Sequence, residues 1–256
     1  MPKKVKKKNK LSLKQQEILH KQFEDHHNGN VGQYVGDLVY GALDGIITTF
    51  AVVAGSAGAG LSSGVVIVLG FANLIADGIS MSVGNYLSLK SEKSYYEAQR
   101  KTEEFEVKKF PDVERKEIRE IYRKKGFSGK ALEQIVALIT SNKKTWVDTM
   151  MNDELGLTID QRKPIFAGLA TFFAFVVAGF VPLIAYIATH FFGFPKELAL
   201  PTSITLSFLT IFSVGSLRSL VIAKPWLNAG FEMLIVGGLA AVASFFIGDF
   251  LGNIIL

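Results

Sequence analysis

Apolar residues run almost unbroken through five stretches of this chain, roughly 37–59, 64–89, 164–190, 198–222 and 229–252. About 20 predominantly apolar residues cross the roughly 30 Å of hydrocarbon in a bilayer, so each stretch is long enough to span it as a helix. "GAGLSSG" joins the first two without a charge, and "FFGFPKE" joins the third and fourth with a single lysine. Between the second and third lies a polar insertion, about residues 90–162. It opens with "KSEKSYYEAQRKTEEFEVKKF", which has no Gly or Pro and continues the second span as a long amphipathic helix. Pro111 stops that helix. "PDVERKEIREIYRKKGF" restarts with Pro and acids in the first turn and bases before Gly126, the order a helix dipole favours. "SGKALEQIVALITSNKKTWVDTMMNDELG" predicts one or two further helices ending at Gly156, and no stretch has the alternation of a strand.

The pattern therefore predicts an all-α polytopic membrane protein: a basic cytoplasmic segment 1–36, transmembrane helices 1–2 over 37–89, a helical cytoplasmic domain over 90–162, and transmembrane helices 3–5 over 163–256. Composition agrees, with 49% hydrophobic residues and 24 glycines in 256. Charge adds the orientation. Eight lysines lie in the first 21 residues and 17 Lys/Arg between Lys90 and Lys163, leaving Lys196, Arg218 and Lys224. Basic residues accumulate on the cytoplasmic side, which sets the amino terminus inside and the carboxyl terminus outside. The net charge of +5 is thus about topology, with no nucleic-acid partner implied. "MPKKVKKKNK" lacks the apolar core of a cleavable signal. Cysteine is absent, so metal chemistry would fall to carboxylates, methionine or histidine.

Ionisable residues inside a span are costly and functional by default. The spans contain Asp44, Asp77, Glu232 and Asp249. The last two read more as structural or interfacial. Counting from the cytoplasmic ends of spans one and two places Asp44 and Met81 at a similar depth, about 10 Å in. Asn73, Asp77, Met81 and Asn85 are each four apart and share one helical face. A carboxylate, a thioether and amide oxygens suit a partly dehydrated transition-metal dication, since sulfur biases a site away from Mg²⁺ and Ca²⁺. The alternative is that Met81 packs and that Asp44 and Asp77 bond to neighbouring helices. Gly41 and Gly45 form a GxxxG pattern that allows close helix approach, including a dimer through span one.

In the insertion, Glu103 and Glu106 are three apart, as are Glu114 and Glu117 beyond the Pro111 turn; Met150, Met151 and Glu154 follow on a later helix. Carboxylate pairs on facing helices hold iron-type or manganese-type ions in bundles; glutamates in a basic amphipathic helix also serve simply as a solvated face. No histidine lies between His27 and His190, which argues against a di-iron oxidase centre and for a labile site. His26 and His27 read as linker residues and the lysines of residues 3–10 as a topogenic or membrane-surface tail.

"YGALDGIITTFAVVAGSAGAG", "GFANLIADGISMSVGNYLSLKSE" and "TWVDTMMNDELGL" together resemble the vacuolar iron transporter family, from about Gly32 onward. The resemblance implies five membrane helices with a three-helix cytoplasmic metal-binding domain, a homodimer, and proton-coupled export of Fe²⁺, often also Mn²⁺, from the cytosol. It implies Asp44 and Met81 as pathway residues, and Glu103, Glu106, Glu114, Glu117, Met150, Met151 and Glu154 as cytoplasmic metal ligands. Plant members carry glutamates near the positions of Gln33 and Asn73, and a small residue where Asp77 stands. Asp77, one turn from Asn73, is then the expected second pathway carboxylate. The partners are metal dications, protons and lipid, with no resident cofactor, in a plasma membrane if prokaryotic or a vacuolar one if eukaryotic. A membrane-anchored carboxylate-site oxidase or store, and a passive dication channel, are the rival readings.

Overall fold

The computed structural model describes residues 13–14, 32–219 and 225–255. The lysine tail, His26, His27, most of the 1–36 segment and Lys224 lie outside the described residues. The described residues are helical and contain no strand. A 3₁₀ turn at Gly32–Tyr34 leads into α1, Val35–Gly58. Then follow α2 (Ser63–Lys109), α3 (Pro111–Lys124), α4 (Gly129–Thr140), α5 (Lys143–Thr149) and a π-helical turn at Met150–Glu154. A third span comprises α6 (Pro164–Phe180), a 3₁₀ turn at Val181–Leu183 and α7 (Ile184–Phe192). The chain ends with α8 (Lys196–Arg218) and α9 (Trp226–Ile255). Among the described residues, five helical segments are long and apolar enough to cross a membrane: Gly32–Gly58, Ser63–Lys109, Pro164–Phe192, Lys196–Arg218 and Trp226–Ile254. They coincide with the five apolar stretches, although α8 ends at Arg218, short of the expected edge at 222.

The helix breaks have local causes. Phe110 separates α2 from α3, and Pro111 sits at the first position of α3, where its missing N–H costs nothing. The Asn142 side chain accepts from the Thr145 N–H at 3.1 Å and starts α5. Pro182 cannot donate to the helical ladder and coincides with the 3₁₀ turn in the third span; the Ser203 hydroxyl of α8 donates to its carbonyl at 2.7 Å.

The chain divides into two compact units, Met1–Leu74 with Phe173–Leu256, and Ile75–Phe172. In the first, Phe50, Val53, Val66, Leu183 and Tyr186 form one core cluster and Ile46, Ala178, Ile211 and Met233 another. Glycines bring its helices close. A side-chain carbon at Gly45 would overlap the backbone of Phe175 on α6, and one at Gly248 would overlap the Gly55 carbonyl of α1. The close approach read from GxxxG is thus used within the chain at Gly45. The outer face of α9 is apolar, with Ile235, Leu239 and Phe246 all about two-thirds exposed, the ordinary condition of a helix that meets lipid tails.

The second unit has its own core of Val107, Ile118, Leu132, Val136, Ile139, Trp146, Val147, Met150 and Met151. An ion pair from Arg100 on α2 to Asp148 on α5, 2.6 Å, ties these two helices together.

Gly248→Val should lower the thermal unfolding midpoint of the detergent-solubilised chain by several degrees, since overpacking of this kind costs about 1–3 kcal/mol. Gly36→Ala, where nothing lies within 4 Å of the added carbon, should leave it unchanged; equal midpoints for both variants would mean that the α1–α9 contact is not tight.

Candidate functional site

Val107 on α2 and Ile118 on α3 both enter the apolar core of the second unit. One turn earlier on each helix, on the same face, stand Glu103 and Glu114, each only 5% exposed. Those positions would be apolar in an ordinary amphipathic helix. The Oε2 atom of each is buried without a hydrogen-bond partner among the described residues, which is costly for a carboxylate unless a cation or proton compensates.

Three further carboxylates join them. Glu106 and Glu117 are half-buried and Glu154, from the π turn, is exposed. Burial above all, then the charges of Glu154, Glu106 and Glu117, push Glu103 up to about 7. Burial, then Glu117, Glu103, Glu106 and Glu154, push Glu114 up to about 7. Glu154 is raised too, by partial desolvation of its carboxyl group and by Glu117 and Glu106. Five carboxylates from α2, α3 and the π turn therefore sit within one another's fields.

Several cations of the same unit are engaged with other groups. Arg119 makes a two-pronged pair with Glu133 at 2.9 and 2.8 Å. Arg123 pairs with Glu120 and Lys125 with Asp153. Arg115 lies over the Trp146 ring. Lys144 and Arg100 hold Asp148 below the usual carboxylate range. Among the described residues, no three Asp, Glu or His side chains are posed to hold one ion together. The glutamates are gathered but not closed on a common point.

Met150 and Met151 are fully buried in the apolar core, packed beside Trp146 and Val147. The π turn that carries them is closed by Leu155 N–H to the Met150 carbonyl, 3.1 Å, and Leu157 N–H bonds the Met151 carbonyl at 2.8 Å. Such turns recur at functional sites.

In the first unit, Asp44 is half-buried on α1, engaged within the chain, and its carbonyl accepts from the Thr48 hydroxyl at 2.8 Å. Asn73 belongs to the same unit, and its side-chain Nδ2 is buried with no partner among the described residues. Asp77 and Met81 belong to the second unit and are half-buried on α2. Asn85, the last of that stripe, donates to the Thr171 hydroxyl of α6 at 2.8 Å, while Ser82 donates to the Gly168 carbonyl at 2.8 Å. Gln33 is exposed, as are Glu232 and Asp249 on α9. Sequence reasoning missed buried Asp37, the Arg100–Asp148 tie and the π turn. The pairing of Arg100 with a residue 48 positions away leaves no local signal.

The sequence profile of the VIT family matches residues 35–249. The chain is 36% identical over 234 residues to a vacuolar iron transporter of Toxoplasma gondii, covering 89% of this chain and 78% of the relative. It is 33% identical over 229 residues to a vacuolar iron transporter of Plasmodium falciparum, covering 84% and 81%. It is 31% identical over 226 residues to vacuolar iron transporter 1 of Arabidopsis thaliana, covering 86% and 88%.

The raised carboxyls set a pH dependence. Between the ordinary value of 4.5 and about 7, the unfolded chain has lost protons that folded Glu103 and Glu114 still hold, so stability falls as pH rises through that window. With chelator present, the unfolding midpoint of the full chain, read by Trp146 fluorescence in a Trp226→Phe background, should drop from about pH 5 to about pH 7. Glu103→Gln should flatten the slope and raise the neutral-pH midpoint; an unaltered slope would place the titration elsewhere.

Proposed function

The chain belongs to the VIT family, and from that premise we propose that it is a membrane transporter, not an enzyme, exporting Fe²⁺ and Mn²⁺ from the cytosol in exchange for protons. The observation that carries this reading is the glutamate cluster of the second unit, where two buried carboxylate oxygens lack hydrogen-bond partners and lie in the fields of further carboxylates. A dication supplies the missing charge. Iron is the metal in the relatives' names.

In this proposal Glu103, Glu106, Glu114, Glu117 and Glu154 collect the hydrated ion on the cytoplasmic side, and the carboxylates close on it as their repulsion is neutralised. Met150 and Met151 lie in the adjoining core and would add soft donors by turning toward the glutamates. The ion passes to Asp44 and Met81 in the membrane, with Asp77 as the second pathway carboxylate beside Asn73. Protons then displace it, because carboxylates bind metal only when deprotonated. The positive-inside rule supports an inner amino terminus, an inner 90–162 domain and an outer carboxyl terminus, and the working unit is a homodimer.

Flux of Fe²⁺ and of Mn²⁺ into proteoliposomes should rise when a proton gradient opposes the metal, and Asp44→Ala or Met81→Ala should abolish it. Glu103→Gln with Glu114→Gln should raise the KM severalfold at unchanged protein yield. Flux indifferent to the gradient would indicate a passive channel, and oxygen consumption with Fe²⁺ an oxidase. Undiminished flux in both span variants removes the gate.

A further inference from the structure

The first unit also carries a groove that the described residues leave unfilled. α1, the α6 segment from Phe173 with its 3₁₀ turn, and α8 border a cavity of about 430 Å³ lined by residues such as Leu38, Ala42, Val177 and Val214. The one hydroxyl in its wall, Thr210, donates to the Leu206 carbonyl at 2.9 Å, so no side chain there has a donor to spare. The groove opens outward, since Val177 is 70% and Leu217 60% exposed. On helices long and apolar enough to span a membrane, that opening faces hydrocarbon.

Charge marks one end. Val214 and Leu217 line the groove, and Arg218, four residues after Val214, shares that face of α8. Arg218 is half-buried and makes no ion pair among the described residues. Residues 219–225 add no acid, and Asp37 and Glu232, the acids at the neighbouring helix ends, have interactions of their own within the chain. The Ser216 hydroxyl donates to the Trp226 carbonyl at 3.3 Å, tying the start of α9 to this end, and Trp226 is 56% exposed. A tryptophan at the end of a spanning helix marks the headgroup level. The groove therefore leads from hydrocarbon to a guanidinium at the interface, and guanidinium binds phosphate bidentately.

We propose that this groove holds an acyl chain of an anionic phospholipid whose phosphate is bound by Arg218. The site takes the lipid's net negative charge as well as its tail, because no carboxylate of the described residues competes for the guanidinium. A helix from a second copy fits less well: the rim residues Leu38, Val177 and Leu217 are bulky, whereas close helix contacts in membranes use small ones.

Native mass spectrometry of the purified full chain, with dioleoyl phosphatidylglycerol or dioleoyl phosphatidylcholine added to the micelles, tests this. The wild-type chain should retain the anionic lipid about fivefold over the zwitterionic one, the ratio expected for one basic residue at an anionic surface. Arg218→Gln should bring the ratio to about one, Arg218→Lys should keep part of it, and Val177→Trp should lower retention of both lipids by filling the groove. Inorganic phosphate should not displace the lipid. Equal retention of the two lipids by the wild-type chain, or a preference that survives Arg218→Gln, overturns the proposal. So does Val177→Trp changing the oligomer mass while leaving lipid adducts intact, which would assign the groove to a second copy.

Discussion

Like charges crowded into a partly dry site define the second unit. Burying an ionised carboxylate is unfavourable, and placing five within one another's fields multiplies the cost. The unit tolerates this because its glutamates grow from a rigid apolar core. Val107 and Ile118 anchor α2 and α3 one turn beyond Glu103 and Glu114, and the Arg100–Asp148 pair binds α5 to α2 on the opposite end of the same segment. Three basic residues of α3 and its end are held in pairs with Glu133, Glu120 and Asp153. The strain is local, electrostatic and relieved by any positive charge that enters. Protons supply it in part, which is why burial and mutual repulsion together bring Glu103 and Glu114 up to about 7.

The first unit works by opposite means. Its helices contain few charges, and hydrocarbon gives apolar side chains no reason to associate, so packing depends on how closely the backbones approach. Gly45 against Phe175, Gly248 against Gly55 and Gly58 against Phe245 supply that closeness. Around Val177 and Leu217 the neighbouring helices leave a groove.

Much of this was readable from the chain. Five apolar runs predict five long helices because hydropathy dominates the choice of a spanning segment, and Pro111 marks a break because it lacks an N–H. The spacing of Glu103 with Glu106 and of Glu114 with Glu117 places each pair on one face. What spacing could not say is which member goes inward: Glu103 and Glu114 are buried, while Glu106 and Glu117 are half-buried. That choice depends on where α3 folds back, a tertiary matter. The π turn has no residue signature, and the burial of Met150 and Met151 follows from the core they join rather than from their own type. GxxxG gave closeness without a partner; at Gly45 the partner is α6 of the same chain.

The second unit also limits how a cation could use both sets of residues. Met81 and Glu103 lie on one uninterrupted helix, α2, within that unit. At 1.5 Å per residue, the 22 steps between them amount to about 33 Å along its axis. No ligand exchange reaches that far, so an ion leaving the glutamates must rehydrate before any side chain of the membrane stripe can take it. On the proposed reading, the cluster would raise the local concentration of dications above the span, with an affinity modest enough for release to keep pace. Carboxylates gathered without closing, with Glu103 and Glu114 pushed up to about 7, suit that reading, because a dication arriving there would have to displace protons and pull together groups that repel.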